Sequence, residues 1–387
     1  MAAVEFTYWF AMGTVNYLTV FLEGNGYTVT QVGMINTINS LAATLFSPIG
    51  GAIADRIRSS RKAFVIFSIA MSICYALVPV TLKIYVLGVS LLTVFSALYN
   101  AFSMPSQALV ETTVVKGCLN TRTDFGVIRT GGTLGYVVVS ILLSKFVNDQ
   151  HCFITFFLLG LLMLPCLYSV SLISSVCDDS VISRRLSFRD LPFGKLFRNP
   201  LFVAYLIFNI LQYVPQMAVQ YYQPYLIKEA GASMTYIGYL QAYRAIFELP
   251  ALIWSQRIAR KISNRNMVVI SSVLFAVQSL LYRFVNSFGQ ILAATTFSGL
   301  ATGFLIAGGI KYVNEITDES VQATAQTLVS SIRSFSGIIG GYLGAMLIEW
   351  LGIRNFFLST GGIMFMAAVF LYLSTVLAER KRTAEAA

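Results

Sequence analysis

Charge interrupts this 387-residue chain so rarely that apolar runs of about 20 residues, the length that crosses a hydrocarbon core, recur from one end to the other. Charged residues make up 11% of the sequence and hydrophobic residues 56%, whereas a soluble globular chain carries about 25% charge. With a mean hydropathy of +0.72, the chain cannot cover itself with polar surface, and its solvent must largely be lipid. The runs predict spans near 6–22, 30–54, 63–82, 84–109, 125–146 and 153–175. After a polar stretch, six more follow near 201–226, 235–255, 267–285, 288–313, 322–350 and 354–377. The expected fold is an all-α membrane protein, with twelve transmembrane helices in two six-helix bundles. Residues 1–176 would form the N-terminal bundle, 177–200 a cytoplasmic amphipathic linker, 201–378 the C-terminal bundle and 379–387 a short cytoplasmic tail. The first run has no basic leader and no small-residue cleavage site before Glu23, so it reads as a retained helix rather than a signal peptide.

Orientation follows from Lys and Arg. Eighteen of the 27 fall on the side that holds both termini, against Lys83, Lys145, Lys228 and Arg354 on the other. The positive-inside rule then makes both termini cytoplasmic in a multi-pass protein of the cell membrane. The net charge of +10 is explained by these membrane flanks; with no basic stripe interleaved with aromatics, no nucleic-acid partner is expected. The linker mixes Leu186, Phe188, Leu191 and Phe193 with Arg184, Arg189 and Lys195, which suits a segment lying on the inner membrane surface.

Several chemistries are excluded. No GxxxxGK[ST] phosphate loop occurs, since Gly194-Lys195 is followed by Leu196. The lone His151 lies on an outer loop, so a Ser or Cys nucleophile has no histidine base within the membrane. The five Cys form no CxxC and no metal-ligand spacing. The chain is therefore not read as an enzyme, and no cofactor or metal is expected. Work done by such a chain must draw on a solute or ion gradient.

One local signature stands at the inner end of the second span: Gly51-Ala52-Ile53-Ala54-Asp55-Arg56-Ile57-Arg58-Ser59-Ser60-Arg61-Lys62. Ordinary positive-inside charge explains the basic residues but not an acid just before them. Asp55 and Arg56 are candidate gating residues, with Gly51 and its neighbour Gly50 permitting close helix approach. The run resembles the loop signature G-x-L-A-D-R-x-G-R-R/K of the major facilitator superfamily, with Ile53 for the Leu and Arg58 for the second Gly. The resemblance implies a transporter of twelve spans over the whole chain.

A second run narrows it. Glu111 ends the fourth span, Asp124-Phe125-Gly126-Val127-Ile128-Arg129-Thr130-Gly131-Gly132 opens the fifth, and Tyr136 lies seven residues after Arg129, on one helix face. A guanidinium fork beside an aromatic face suits hydroxyls, a carboxylate or a ring; the alternative is an Arg that merely snorkels to the inner surface. The run resembles the lactose-permease and phenylpropionate-permease branch, in which the resemblance gives Glu111, Arg129 and Tyr136 a substrate-binding role.

The seventh span carries Asn209, Gln212, Gln216, Gln220 and Gln223 within roughly an 80° arc, a polar face that lipid would penalise. It reads either as cavity lining, which makes Asn209, Gln212, Gln216 and Gln220 substrate-binding candidates, or as interhelix glue. In the eighth span Glu248 follows Arg244 by one turn, as a structural ion pair or as a proton carrier whose ionisation low dielectric shifts. Glu111 is the other candidate for proton coupling.

The chain departs from lactose permease elsewhere. Gln278 stands at an Arg position, and Ser298 and Ala301 stand where a His and a Glu couple protons. Arg333 matches a basic residue of the eleventh helix whose acidic partner is missing, so Arg333 and Arg244 are grouped as a charge network. The halves show faint similarity: Ile128-Arg129 precedes Gly135-Tyr136 as Ile332-Arg333 precedes Gly341-Tyr342. The expected function is secondary active transport of a small polar organic solute (a sugar, a nucleoside, or an aromatic or sugar acid) by proton-coupled symport. The partners would be the solute, a proton or other coupling ion, and the lipid bilayer, with a monomer as the default. Drug or metabolite efflux by antiport and a non-transporting receptor or scaffold are the alternatives.

Overall fold

The computed structural model describes residues 1–57, 59–86, 88–121, 125–148, 151–172, 196–259, 261–318 and 321–386. It divides by contact into two compact units, Met1–Ile182 with Ser233–Ala242, and Ser183–Ala232 with Tyr243–Ala387. In the first unit, α1 (Ala2–Met12) passes through a 3-10 turn (Gly13–Tyr17) into α2 (Leu18–Gly24), making one rod. Then come α3 (Val29–Ile57), α4 (Ser60–Val80), α5 (Leu91–Thr121), α6 (Phe125–Phe146) and α7 (Ile154–Ser171). The second unit holds α8 (Pro200–Glu229), α10 (Asn264–Tyr282), α11 (Phe288–Ile316), α12 (Gln322–Leu351) and α13 (Ile353–Ala386); α9 (Ile237–Ala259) begins in the first unit and continues in the second.

Most of these helices coincide with the apolar runs, and the differences have local causes. The fourth begins at Leu91 because β1 (Tyr85–Val86) and β2 (Val89–Ser90) pair antiparallel before it. Gly88 turns the chain there at φ +79, a conformation glycine adopts without steric cost. The first helix starts at Ala2 and so takes Glu5 into its first turn, where the N-terminal helix dipole favours an acid. The last runs to Ala386, through the expected tail. Of the expected linker, residues 177–195 lie outside the described residues; Asn199 caps α8, accepting from the Leu201 and Phe202 backbone N–H groups.

Among the described residues eight helices are long and apolar enough to cross a membrane. The outward side chains agree: Phe146, Leu161, Leu164, Leu172, Phe284 and Trp350 are all more than half exposed, which water would not tolerate over so wide a surface. The fold is helical and its setting is a membrane. Beside buried aromatic rings, small polar side chains join the helices, as is common in lipid-embedded bundles. Ser68 bonds Ser106 at 3.0 Å and Ser96 donates to Asn39 at 2.9 Å in the first unit, while Ser279 bonds Thr360 at 2.8 Å in the second.

A constant offset of 204 residues brings helices of the two units into register. Ser59 caps α4 and Ser263 caps α10, each accepting from the backbone N–H three residues on. The first rod falls within α8 at the same offset, and α6 within α12. Both pairs pack through bare backbone. A Cβ on Gly135 of α6 would lie 2.4 Å from the Phe6 carbonyl oxygen of α1, and one on Gly340 of α12 would lie 2.7 Å from the Val214 carbonyl oxygen of α8.

Gly135→Ala should therefore lower stability by about 1–3 kcal/mol through overpacking. Gly362→Ala faces open space and should be neutral or stabilising by up to about 1 kcal/mol, since Ala is the better helix former. Thermal unfolding of the two variants in detergent checks the contrast, and equal melting temperatures would refute it.

Candidate functional site

The first unit gathers its charge around Arg129, on the first turn of α6. Its Nη1 donates to Glu5 Oε2 at 3.1 Å, and its Nη2 lies 3.8 Å from Glu111 Oε1. The side chain of Glu5 is fully buried, whereas Arg129 and Glu111 each keep about a third of theirs open (35% and 37%). Beneath the guanidinium lies the Trp9 indole, 4.3 Å from ring centroid to Cζ, a cation–π contact of the favoured ring type. Gly132 makes room for both partners: a Cβ there would stand 2.6 Å from Trp9 Cδ1 and 2.8 Å from Glu5 Oε2. Glu111 is held from behind by Gln107, whose Nε2 donates to Oε1 at 3.2 Å.

The chemistry follows from the count. One guanidinium faces two carboxylates, so the cluster is one negative charge in excess when both are ionised. The sealed carboxylate fixes the fork by a charge-assisted bond. The open one can accept a proton or the hydroxyl of a solute. Two turns further along the same face, the Tyr136 hydroxyl donates to Asn16 Oδ1 at 3.0 Å, and its ring meets Trp9 edge-on at 6.4 Å. Glu111, Arg129 and Tyr136 thus lie along one seam. Glu5, Trp9 and Asn16 join them and were not foreseen. Glu5 borders the first apolar run at its start, as Glu23 does at its end, and counting that run from Phe6 leaves it outside.

In the second unit the polar stripe of α8 divides. Asn209, Gln212 and Gln223 are buried, and the two glutamines tie helices together. Asn209 Nδ2 donates to the Tyr205 carbonyl at 2.6 Å. Gln212 accepts from Ser272 Oγ of α10, and Gln223 Nε2 donates to the Tyr282 hydroxyl at 3.3 Å. Gln278 and Thr295 bond the same hydroxyl at 2.7 Å each, so Gln278 belongs to this buried network. Gln216 is half-buried, with its Oε1 3.5 Å from Gln212 Nε2, and Gln220 is exposed. Arg333 of α12, also exposed, lies 5.6 Å from the buried Tyr213 ring.

Glu248 and Arg244 are half-buried on α9, one turn apart, and Arg244 Nε is buried without a hydrogen bond. At the inner end of α3, Gly50 abuts Pro105, its would-be Cβ 2.4 Å from Pro105 Cβ, while Gly51 faces open space. The close approach is thus made at Gly50, one residue and 100° away from Gly51. Arg56 is exposed, and the Asp55 side chain, like Arg58, lies outside the described residues.

A family model described as "MFS_1 like family" matches residues 1–359. A Bacillus subtilis (strain 168) protein described as an uncharacterized transporter, YwbF, is 24% identical over 391 residues, covering 98% of this chain and 94% of that protein. The maltose permease of Geobacillus stearothermophilus is 23% identical over 397 residues, with the same coverage of 98% and 94%. Among solved structures, the crystal structure of a point mutant of the nucleoside transporter NupG superposes with a TM-score of 0.84 at 15% identity, covering 96% of this chain and 98% of that one. At that identity the likeness is one of fold.

The ion pair itself can be tested. Glu5→Gln leaves the guanidinium with Glu111 alone as counter-charge and should cost about 2–4 kcal/mol, below the full loss of a wholly buried pair because Arg129 remains partly open. The double variant Glu5→Gln/Arg129→Gln should recover at least half of that loss. A thermal double-mutant cycle measures the coupling, and additive losses would mean that the two side chains do not stabilise one another.

Proposed function

Because the chain belongs to the MFS_1-like family of major facilitator transporters, we propose that it is a secondary active transporter that moves a small polar organic solute by alternating access, coupled to protons in symport. The observation that carries this reading is the Arg129 cluster, in which two carboxylates share one guanidinium and only one is sealed from solvent. Arg129 is held by Glu5, and Glu111 either carries a proton or accepts from the solute. Solute and proton both meet the Arg129–Glu111 pair, so occupancy by one bears on the other, which links the two cargoes. The names of the maltose permease and the nucleoside transporter agree with a polar, hydroxyl-bearing solute.

In this reading the chain crosses the cell membrane twelve times with both termini cytoplasmic and works as a monomer. Arg129, Tyr136 and Glu111 are the solute-binding candidates of the first unit; Gln216 and Gln220 are those of the second, with Asn209 and Gln212 shaping the stripe behind them. Glu248 is the second proton-coupling candidate, on the same helix as Arg244. Asp55, Arg56 and Gly51 gate the inner end of α3.

Solute-evoked proton movement in de-energised cells tests this directly, with a panel of sugars, nucleosides and aromatic acids. The expected result is alkalinisation of the medium with one class, lost in Arg129→Ala and reduced at least tenfold in Glu111→Gln. A full response in Glu111→Gln assigns the proton to Glu248. Silence of the correctly inserted wild-type protein towards every solute would remove the symport reading.

A further inference from the structure

The two units place an arginine at the same register but neutralise it differently. Arg129 and Arg333 are 204 residues apart, as are Trp9 and Tyr213, and Glu5 and Asn209. The geometry repeats as well. Arg129 lies over Trp9 at 4.3 Å, and Arg333 lies over Tyr213 at 5.6 Å. The sealed acid of the first unit has become an amide in the second. Asn209 is fully buried, its Nδ2 is taken by the Tyr205 carbonyl, and its Oδ1 has no hydrogen-bond partner. The counterpart of Glu111 is Glu315, whose carboxylate is bonded by Asn264 of α10. Among the described residues no carboxylate pairs with Arg333.

Nor does Arg333 point into lipid. At 100° per residue it lies within about 20° of Gly340 and Gly344, the two glycines through which α12 packs on Val214, Ala218 and Tyr222 of α8. Phe335, Tyr342 and Met346, all strongly exposed and apolar or aromatic, project from the opposite side of the helix, within about 40° of diametrically opposed. Arg333 therefore sits on the inner face of α12, exposed where the two helices part. The α8 stripe continues beside it: Gln216 and Gln220 share the arc of Asn209 and Tyr213, and Gln220 makes no hydrogen bond among the described residues. In the first unit the matching Asn16 is occupied by the Tyr136 hydroxyl. In the second, the residue in register with Tyr136 is Gly340, which leaves Gln220 open.

We propose that Arg333, with the Tyr213 ring and the amides of Gln216 and Gln220, is a recognition site for a carboxylate, and that the transported solute bears one. The inference rests on the transporter reading and names its substrate class. A guanidinium in an apolar bundle without a partner is strongly disfavoured, and a planar carboxylate satisfies the fork with two parallel bonds. A single arginine matches the single charge of a carboxylate. The amides beside it bond the oxygen-bearing groups next to that carboxylate, so a sugar acid or a hydroxylated aromatic acid fits better than a neutral sugar.

The test uses purified full-length protein and matched probes: D-gluconate against D-glucose and benzoate against benzyl alcohol, with sodium chloride and sodium sulfate as inorganic controls. Binding is read by thermal shift and by isothermal titration. The acids should bind at least tenfold more tightly than their neutral partners, and Arg333→Gln should remove that preference. Arg333→Lys keeps the charge without the planar fork and should retain folding with a partial loss. Asn209→Asp supplies the missing internal acid at nearly constant shape. It should leave the fold intact and weaken acid binding at least tenfold, because the new carboxylate competes for Arg333. Equal binding of acids and neutral partners, acid binding unchanged in both Arg333→Gln and Asn209→Asp, or stabilisation by the inorganic anions alone would each overturn the proposal. Proton-coupled uptake of a neutral solute that is unaffected by Arg333→Gln would also overturn it, while leaving the transporter reading standing. Arg333-dependent acid binding without flux in proteoliposomes would keep the site and remove the transporter reading.

Discussion

A guanidinium within an apolar helix bundle has no bulk water to stabilise it, so its charge must be met by the protein or by a ligand. In the first unit this requirement organises a whole seam. Glu5 approaches Arg129 to 3.1 Å from the first turn of α1, and Trp9 lies under the cation one turn later. Glu111 comes from α5, steadied by Gln107. Three helices converge on one charge. Each contact is worth more here than at a wet surface, because low dielectric strengthens attraction and penalises a missing partner alike.

That convergence depends on how closely the helices approach. Helices in lipid gain little from burying apolar side chains against each other and associate instead through tight backbone packing and small polar groups. Gly132 clears the space that Glu5 and Trp9 occupy, and Gly135 lets the α1 and α6 backbones touch. Gly340 and Gly344 do the same for α12 on α8. The two units use one device, glycines that let paired helices touch, and arrive at different electrostatics, since the first encloses its counter-charge and the second leaves its arginine open. At the shared register the acid Glu5 of the first unit is matched by the amide Asn209 of the second, and Tyr136 by Gly340, so the two arginines meet different surroundings.

Much of the α8 stripe shows how a periodic pattern can carry two roles. Its narrow polar arc was legible from spacing alone, because lipid excludes such residues from the outer face. Periodicity does not distinguish a side chain that reaches a neighbouring helix from one that reaches an opening. Gln212 and Gln223 find Ser272 and Tyr282, whereas Gln220 makes no hydrogen bond among the described residues. In the same way, the likeness between Gly135-Tyr136 and Gly341-Tyr342 slips by two residues from the structural register, and Tyr342 lies on the exposed outer face of α12. The arginines hold the true register.

The sequence by itself determined that the chain lives in a membrane, where most of its helices lie, and that Arg129 and Tyr136 share one helix face. These follow from composition and from the 3.6-residue period, both local properties of a chain that must satisfy its own backbone in lipid. Only the tertiary structure decided which acid neutralises Arg129, which glycines carry the close approaches, and which of two equivalent arginines stays open. Those outcomes turn on distances of a few ångströms between residues as far apart in sequence as Glu5 and Arg129. A short-range electrostatic contact of that kind leaves no periodic trace in the chain that makes it.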